Sequence, residues 1–289
     1  MVVVMNRLRR TICLLCLAAL VVPGCGGDDD SAQRPSRPAP KSTPGYPSSI
    51  AVLGHSGATG ENSDPGRPGE EVRSNSWATG TNPTVNSLYL RLLAKNAAIR
   101  GHNLNLAEAG ANVDRFVAQA GLAASRRRKP ELFVVQIMDS DIVCPVSEDD
   151  LAAFRSTFVS GLKTLAQGAP GSDIFVVSQF GSPATNARAL PHELRRSFGG
   201  TGPCDFIDLD GRLVPKKVAT AETAIHGYEA QLEAACERFD QCRYDSGAFG
   251  RVVDRREYIS SDGNHFSVQG HAKASAVAWA AMRRVGILP

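Results

Sequence analysis

The chain has 289 residues, of which 43% are hydrophobic and 21% are charged, with 27 Gly and 17 Pro. This composition is ordinary for a globular protein and excludes a collagen, a coiled coil and a wholly disordered chain. The formal net charge is +3, and three arginines, Arg7, Arg9 and Arg10, lie in a leader without Lys, Asp or Glu. The rest of the chain is therefore close to neutral, which gives no electrostatic case for nucleic acid as a partner.

Residues 1–25 have the pattern of a targeting signal, because the arginines precede an apolar run from Thr11 to Val22. This run is too short to span a bilayer, which needs about 20 residues. The segment ends in VPGC at residues 22–25, which resembles a bacterial lipobox and implies cleavage before Cys25, acylation of its thiol and a membrane anchor there. Ordinary secretion with an unmodified Cys25 is the alternative, and either route predicts an extracytoplasmic protein.

The next segment, 26–47, is rich in Gly, Asp, Ser, Pro and Arg and has almost no large apolar side chain. It cannot bury enough surface to offset the entropy of ordering the chain, so we expect a flexible tether. The sequence predicts one folded domain over residues 48–289.

Four apolar runs in that domain predict β-strands. Ile50–Leu53 is the first, and a weaker candidate lies within residues 101–107. The runs 132–138 (LFVVQIM) and 174–180 (IFVVSQF) are mostly apolar and carry no charge, which is typical of strands buried on both faces of a sheet.

Helical spacing of apolar residues lies between and after these runs. It predicts helices near residues 88–99, 151–165, 225–239 and 267–284, and Ser147 with Asp150 has the capping pattern for the second. Alternating strands and helices predict a three-layer α/β/α domain with a central, mostly parallel sheet. In such sheets the ligand site lies beyond the carboxyl ends of the strands.

Cysteine usage agrees with export. Cys13 and Cys16 lie in the leader, and the domain holds four more: Cys144, Cys204, Cys236 and Cys242. Four cysteines outside the cytoplasm suggest two disulfides with three possible connectivities, of which we favour Cys236–Cys242 and Cys144–Cys204. The domain has no CxxC or CxxH pair, so we expect no metal site.

Directly after the first predicted strand comes Gly54-His55-Ser56-Gly57. Glycines beside a serine at a strand end allow a sharp turn that exposes the hydroxyl. A phosphate-binding loop is disfavoured because GxGxxG and GK[ST] are absent, and a plain turn is the remaining alternative. The Gly-, Asn- and Ser-rich stretch 63–86, with Trp77, either shapes a pocket beside this serine or is an ordinary loop.

A nucleophilic serine needs a base, and the base needs an orienting carboxylate. Asp262 and His265 lie three residues apart just before the last predicted helix. One turn of chain would let the carboxylate face one imidazole nitrogen while the other nitrogen faces Ser56. The alternative makes Asp262 and Ser267 helix caps and His265 a surface residue.

Together these segments resemble the SGNH/GDSL hydrolase superfamily from about Ser48 to the end of the chain. The Gly-Asp-Ser block of that family matches residues 54–56 with His at the Asp position, and its Asp-x-x-His block matches residues 262–265 unchanged. The family's glycine block falls on Gly110. Its Gly-x-Asn-Asp block falls on residues 138–141, where Met and Ser replace Gly and Asn.

The resemblance implies a flavodoxin-like SGNH hydrolase fold and a serine hydrolase without a cofactor. It implies that Ser56 is the nucleophile, His265 the general base and Asp262 the partner that orients the base. The oxyanion hole would then use the backbone N–H groups of Ser56 and Gly110 and the side chain of Ser140.

Two side chains near this site are left with open roles. Asn112 is a substitute donor for Ser140 if its loop approaches, and His55 is expected to support the turn. The α/β-hydrolase fold is excluded, because several strands precede its nucleophile and one precedes Ser56.

The sequence thus predicts a monomeric extracytoplasmic esterase or lipase whose substrate is a lipid, a small acyl ester or an acylated glycan. One alternative keeps the fold without catalysis, as an envelope-binding lipoprotein. Another is an acyltransferase or deacetylase that acts on cell-envelope glycans.

Overall fold

The computed structural model describes residues 45–289. The predicted signal, Cys25 and nearly all of the predicted tether lie outside these residues. No helix between residues 45 and 289 is long and apolar enough to cross a membrane. Packing begins before Ser48, because the ring of Tyr46 stacks on Trp279 with centroids 6.4 Å apart. The side-chain amide of Asn96 also donates to the Tyr46 carbonyl at 2.8 Å.

One sheet of five parallel strands forms the middle layer of the described chain, in the order β2-β1-β3-β4-β5. The strands are β1 Ile50–Gly54, β2 Asn103–Asn105, β3 Leu132–Gln136, β4 Asp173–Val176 and β5 Cys242–Tyr244. All four predicted strands are present, so the prediction of a parallel sheet is confirmed. Strand β5 was not predicted, because three residues with an arginine at their centre carry no apolar pattern.

The described residues contain seven α-helices: α1 Leu88–Lys95, α2 Val113–Ala124, α3 Glu148–Gly168, α4 Pro183–Ala189, α5 His192–Phe198, α6 Pro215–Cys236 and α7 Val268–Arg284. The four predicted helices correspond to α1, α3, α6 and α7. Helix α1 ends before Ile99, which belongs to a separate 3₁₀ turn. The capping pattern is confirmed, because Ser147 and Asp150 bond each other's backbone N–H groups at the start of α3.

Two apolar clusters fill the spaces on the two faces of the sheet. Alternate residues of β1 and β3 enter each cluster, so these strands are buried on both sides. Helices α2, α3 and α6 contribute to one cluster, and α1 and α7 contribute to the other. The three-layer α/β/α fold predicted from the sequence is therefore confirmed.

Both predicted disulfides are present. The bond between Cys236 and Cys242 joins the end of α6 to the start of β5. The bond between Cys144 and Cys204 spans 60 residues and ties the segment after β3 to the segment after α5.

The carboxyl ends of β1 and β3 meet at a point where only glycine fits. Gly54 pairs with Gln136 and has φ +143°. A Cβ on Gly54 would lie 1.9 Å from the Gln136 carbonyl oxygen. This close approach places the turn that contains Ser56 directly over the end of β3.

We expect Gly54→Ala to destabilise the fold by about 3 kcal/mol or more, because the new methyl group overlaps backbone that cannot move independently. Gly101→Ala is the matched control, since Gly101 also has a positive φ (+75°) but has nothing within 4 Å of the position that a methyl group would take. That control bears only the backbone penalty of about 1–2 kcal/mol. Urea unfolding of both variants measures the difference, and equal losses would contradict the packing argument.

Candidate active site

Ser56 begins a short 3₁₀ turn, Ser56–Ala58, directly after β1. The side chain of His55 holds this turn, because its Nδ1 accepts the N–H of Gly57 at 3.1 Å. Burial lowers the pKa of His55, against the opposite effect of the nearby Asp139 carboxylate. The neutral ring can therefore serve as the acceptor, which agrees with the supporting role expected for His55.

The segment before α7 folds around the carboxylate of Asp262. One of its oxygens accepts the backbone N–H groups of Asn264 and His265 at 3.0 and 3.1 Å and also the hydroxyl of Ser260. The other oxygen lies 2.6 Å from Nδ1 of His265. The predicted single turn is thus formed, and it fixes the imidazole against the carboxylate.

The structure brings Ser56 and His265 together although 209 residues separate them in the chain. The distance from Nε2 of His265 to Oγ of Ser56 is 3.1 Å. Because Nδ1 faces a carboxylate acceptor, we assign the proton of the neutral ring to Nδ1. Nε2 then carries a lone pair and accepts the hydrogen bond from the Ser56 hydroxyl.

The hydrogen bonds between these groups shift their pKa values in opposite directions. Burial raises the pKa of Asp262, but the bonds donated by His265, Ser260 and two backbone N–H groups outweigh burial and hold the pKa well below its usual range. Burial lowers the pKa of His265, but Asp262, Glu61 and Asp139 outweigh it and raise the pKa above its usual value. The site therefore stabilises a positively charged imidazole.

Glu61 is a second carboxylate at His265 that the sequence analysis did not single out. Its Oε2 lies 3.4 Å from Nε2 of His265, and the side chains of Glu61 and His265 are 21% and 15% exposed. A charge pair so poorly exposed is only weakly screened by solvent. Because Glu61 follows the serine turn without any periodic pattern, the sequence carries no signal for this contact.

Two backbone donors of the predicted oxyanion hole are free within residues 45–289. The N–H groups of Ser56 and Gly110 have no acceptor there. The N–H of Glu108 donates to the Gly54 carbonyl at 3.0 Å, which ties the loop containing Gly110 to the end of β1. Gly110 does not line the cavity described below, and its role in an oxyanion hole stays a prediction.

The predicted side-chain donors are less well placed. Ser140 lies exposed in the 3₁₀ turn Asp139–Asp141 and does not line the cavity described below. Asn112 caps α2 through Oδ1, which accepts the N–H of Arg115 at 3.1 Å, and its amide donor has no acceptor in the described chain.

Gln136, the last residue of β3, is a further polar group that the sequence analysis missed. It is 4% exposed, and its Oε1 accepts the indole N–H of Trp77 at 2.9 Å. This bond points the amide nitrogen away from Trp77 and toward Gly57, and the nitrogen has no acceptor within residues 45–289. Trp77 is fully buried, so the loop 63–86 supports the site through Gln136, and Trp77 does not itself line the cavity.

A cavity of about 310 Å³ opens at Ser56 and His265. Its apolar wall is formed mainly by Ile142, Phe180, Phe206, Ile225, Tyr258 and Phe266. Its polar groups include Gln136, Asp139, Gln179 and Asp254. Residues 45–289 hold no group of three His, Cys, Asp or Glu side chains arranged to bind a metal ion.

Solved structures with a similar backbone support the fold. The lipase Lip_vut3 from a goat rumen metagenome is 12% identical, with 81% of this chain and 96% of that chain covered and a TM-score of 0.51. A carbohydrate esterase family 2 enzyme with a carbohydrate-binding domain, from Corynascus thermopiles (Myceliophthora fergusii), is 15% identical, with coverage of 88% and 69% and a TM-score of 0.51.

No protein-family model and no curated protein matches the sequence. At these low identities, the structural similarity establishes the fold. The chain has the three-layer α/β/α fold that the resemblance to the SGNH/GDSL hydrolases implies.

We expect Glu61→Gln to lower the pKa of His265, because it removes one of the negative charges that stabilise the imidazolium. Glu71→Gln is the matched control: Glu71 faces Glu61 across a β-bridge but pairs with Arg73 at 2.7 Å. Histidine NMR titration, with the His265 signal assigned by its loss in His265→Ala, measures both. An unchanged His265 pKa in Glu61→Gln would contradict the contact.

Proposed function

We propose that the protein is a serine hydrolase that cleaves carboxylic esters through an acyl-enzyme. The observation that carries this proposal is the hydrogen-bonded series from Ser56 through His265 to Asp262, with distances of 3.1 and 2.6 Å. It lies at the carboxyl end of a parallel sheet, in a fold shared with a lipase and a carbohydrate esterase. A cavity with room for an acyl or alcohol group opens beside it.

In the first half of the proposed reaction, Oγ of Ser56 attacks the ester carbonyl carbon while its proton moves to Nε2 of His265. Asp262 stabilises the imidazolium that forms. The carbonyl oxygen becomes negative and is stabilised by free N–H groups, for which the backbone of Ser56 and Gly110 are the candidates. The imidazolium then gives its proton to the leaving alkoxide, so the alcohol departs and the acyl group stays on Ser56.

In the second half, a water molecule takes the place of the alcohol. His265 accepts a proton from the water, whose oxygen attacks the acyl carbon. The proton returns to Oγ of Ser56 as the carboxylic acid leaves. This sequence needs no metal ion or cofactor, since every proton and electron pair is handled by Ser56, His265 and the substrate.

Two other functions use the same fold. A binding lipoprotein without catalysis would explain the replaced Gly-x-Asn-Asp block, but it gives no reason for the alignment of Ser56 with His265. An acyltransferase or glycan deacetylase would use the same acyl-enzyme. For the acyltransferase, a sugar hydroxyl replaces water in the second half, so product analysis with a sugar acceptor separates transfer from hydrolysis.

We place the enzyme outside the cytoplasm as a monomer anchored by lipid at Cys25. The leader and the VPGC segment support this location. Two disulfides within the domain support it as well, because such bonds persist in oxidising compartments.

A fluorophosphonate probe should attach to Ser56 of the wild-type protein, because His265 activates that hydroxyl. Mass spectrometry of the labelled peptide identifies the site, and Ser56→Ala should remain unlabelled. Ser197→Ala, at an exposed position of α5, is the control and should be labelled like the wild type. A folded wild-type protein that stays unlabelled would contradict the catalytic proposal.

Asp262→Asn should lower kcat on a short aryl ester by about 10⁴, since the amide cannot stabilise the imidazolium or keep the proton on Nδ1. KM should change little, because Asp262 does not line the cavity. Circular dichroism must show that the variant is folded, and a loss of less than about tenfold in kcat would refute the orienting role.

A further inference from the structure

The cavity over Ser56 has an unbalanced charge. Two carboxylates line it, those of Asp139 and Asp254, and no Lys or Arg does. Neither carboxylate forms an ion pair with any residue between 45 and 289. Asp139 is exposed and its charge acts on His265, whereas Asp254 is partly buried. Burial penalises an isolated charge, so the partly buried Asp254 lacks a cationic partner that a ligand would supply.

Asp254 is held firmly in the cavity wall. Its Oδ2 accepts the Thr185 hydroxyl at 2.6 Å, and a Cβ on Gly181 would lie 2.1 Å from the same oxygen. The absence of a side chain at Gly181 thus lets the carboxylate pack against the backbone. Burial raises the pKa of Asp254, although hydrogen bonds from Thr185 and Ser182 oppose it, and a bound cation would favour the charged carboxylate.

Four aromatic side chains line the same cavity: Phe180, Phe206, Tyr258 and Phe266. Phe180 and Phe266 pack edge to face, with centroids 4.7 Å apart and planes at 69°. All four rings are only partly buried, so they have surface left for a ligand. Aromatic faces attract ammonium groups, most strongly where water is excluded.

The end of the cavity near Ser56 presents a donor instead. The amide nitrogen of Gln136, on a side chain that is only 4% exposed, has no acceptor in the described chain. This nitrogen is not one of the fully buried side-chain atoms that lack a partner, so it opens onto the cavity, where an oxygen atom of a ligand would accept its N–H. The cavity therefore offers a hydrogen-bond donor beside Gly57 and negative charge with aromatic surface elsewhere.

We propose that the part of the ester that enters this cavity carries a positively charged ammonium group, which Asp139, Asp254 and the four aromatic rings bind. This inference rests on the proposed esterase function. It also means that an anionic group of the same size is disfavoured there.

The test compares esters that differ only in charge. On the acyl side, aryl esters end in trimethylammonium, in the neutral tert-butyl group of the same shape, or in carboxylate. On the alcohol side, acetates of 2-trimethylammonioethanol and 3,3-dimethylbutanol are compared. In at least one series we expect kcat/KM to be about tenfold higher for the cation than for the neutral ester, with the carboxylate ester lowest.

Asp254→Asn should reduce this cation-to-neutral ratio by about threefold or more, whereas Asp210→Asn, at an exposed position outside the cavity, should leave it unchanged. The ratio cancels any difference in the amount of active enzyme, so a loss of folded protein does not mimic the effect. A wild-type ratio near one in both series would overturn the inference while leaving the esterase proposal intact.

Binding without catalysis supplies an independent readout. Calorimetric titration of Ser56→Ala with acetylated 2-trimethylammonioethanol should give heat of binding that Asp254→Asn weakens in the same background, and the neutral ester should bind more weakly. If neither the fluorophosphonate nor any ester reacts with the wild type, the esterase proposal fails, and binding of the cation alone would still support the cavity's charge preference. Equal affinity for cation and neutral ester would overturn it.

Discussion

The carboxylate of Asp262 is the group on which the geometry of the site depends. It accepts two backbone N–H groups and a hydroxyl from its own turn and faces Nδ1 of His265. A carboxylate with that many donors stays ionised, because each hydrogen bond favours its charged form. The same charge shapes the turn, selects the proton position on His265 and stabilises its protonated ring. Local folding and chemistry are therefore coupled through one side chain.

The fold could be predicted where the sequence pattern is strong and local. The runs that form β1 and β3 are buried on both faces, and strand alternation with helices requires a crossover, so a parallel sheet follows. Helix α2 was missed although Asn112 caps it, because its Gly and Ala residues blur the apolar pattern. Strand β5 is only three residues long and is defined by its pairing with β4. That pairing is a tertiary contact, so the sequence of these three residues does not predict it.

The difference between a local sequence pattern and a tertiary contact also explains which parts of the site could be predicted. Ser56 and the pair Asp262 and His265 lie in short motifs, and the parallel sheet brings the ends of β1 and the segment before α7 to one edge. Glu61 and Gln136 were missed because their roles depend on side-chain direction. Gln136 stands inside an apolar run, where it is indistinguishable by pattern from its neighbours until Trp77 is seen to bond it.

Met138 shows how a departure from the family pattern is accommodated. It has φ +139° and is almost fully buried, at the position where the family has glycine. A non-glycine residue in this region costs about 1–3 kcal/mol, so the backbone after β3 keeps a glycine-like path even though the glycine is absent. The turn is retained in part because Asp141 accepts the N–H of Val113 at 3.0 Å, which ties it to the start of α2.

The carboxylates around His265 have two opposing effects on an ester hydrolase. Glu61 and Asp139 stabilise the imidazolium, and this lowers the energy of the charge pair that forms as Ser56 attacks. The same stabilisation keeps a larger share of His265 protonated in the free protein, and a protonated ring cannot accept the Ser56 proton. A ligand cation near Asp139 would weaken that stabilisation and favour the neutral base. Substrate charge and the pKa of His265 would then be linked through the same carboxylates. A cationic ester would be bound by them and would also favour neutral His265, the form that accepts the proton when Ser56 attacks the ester.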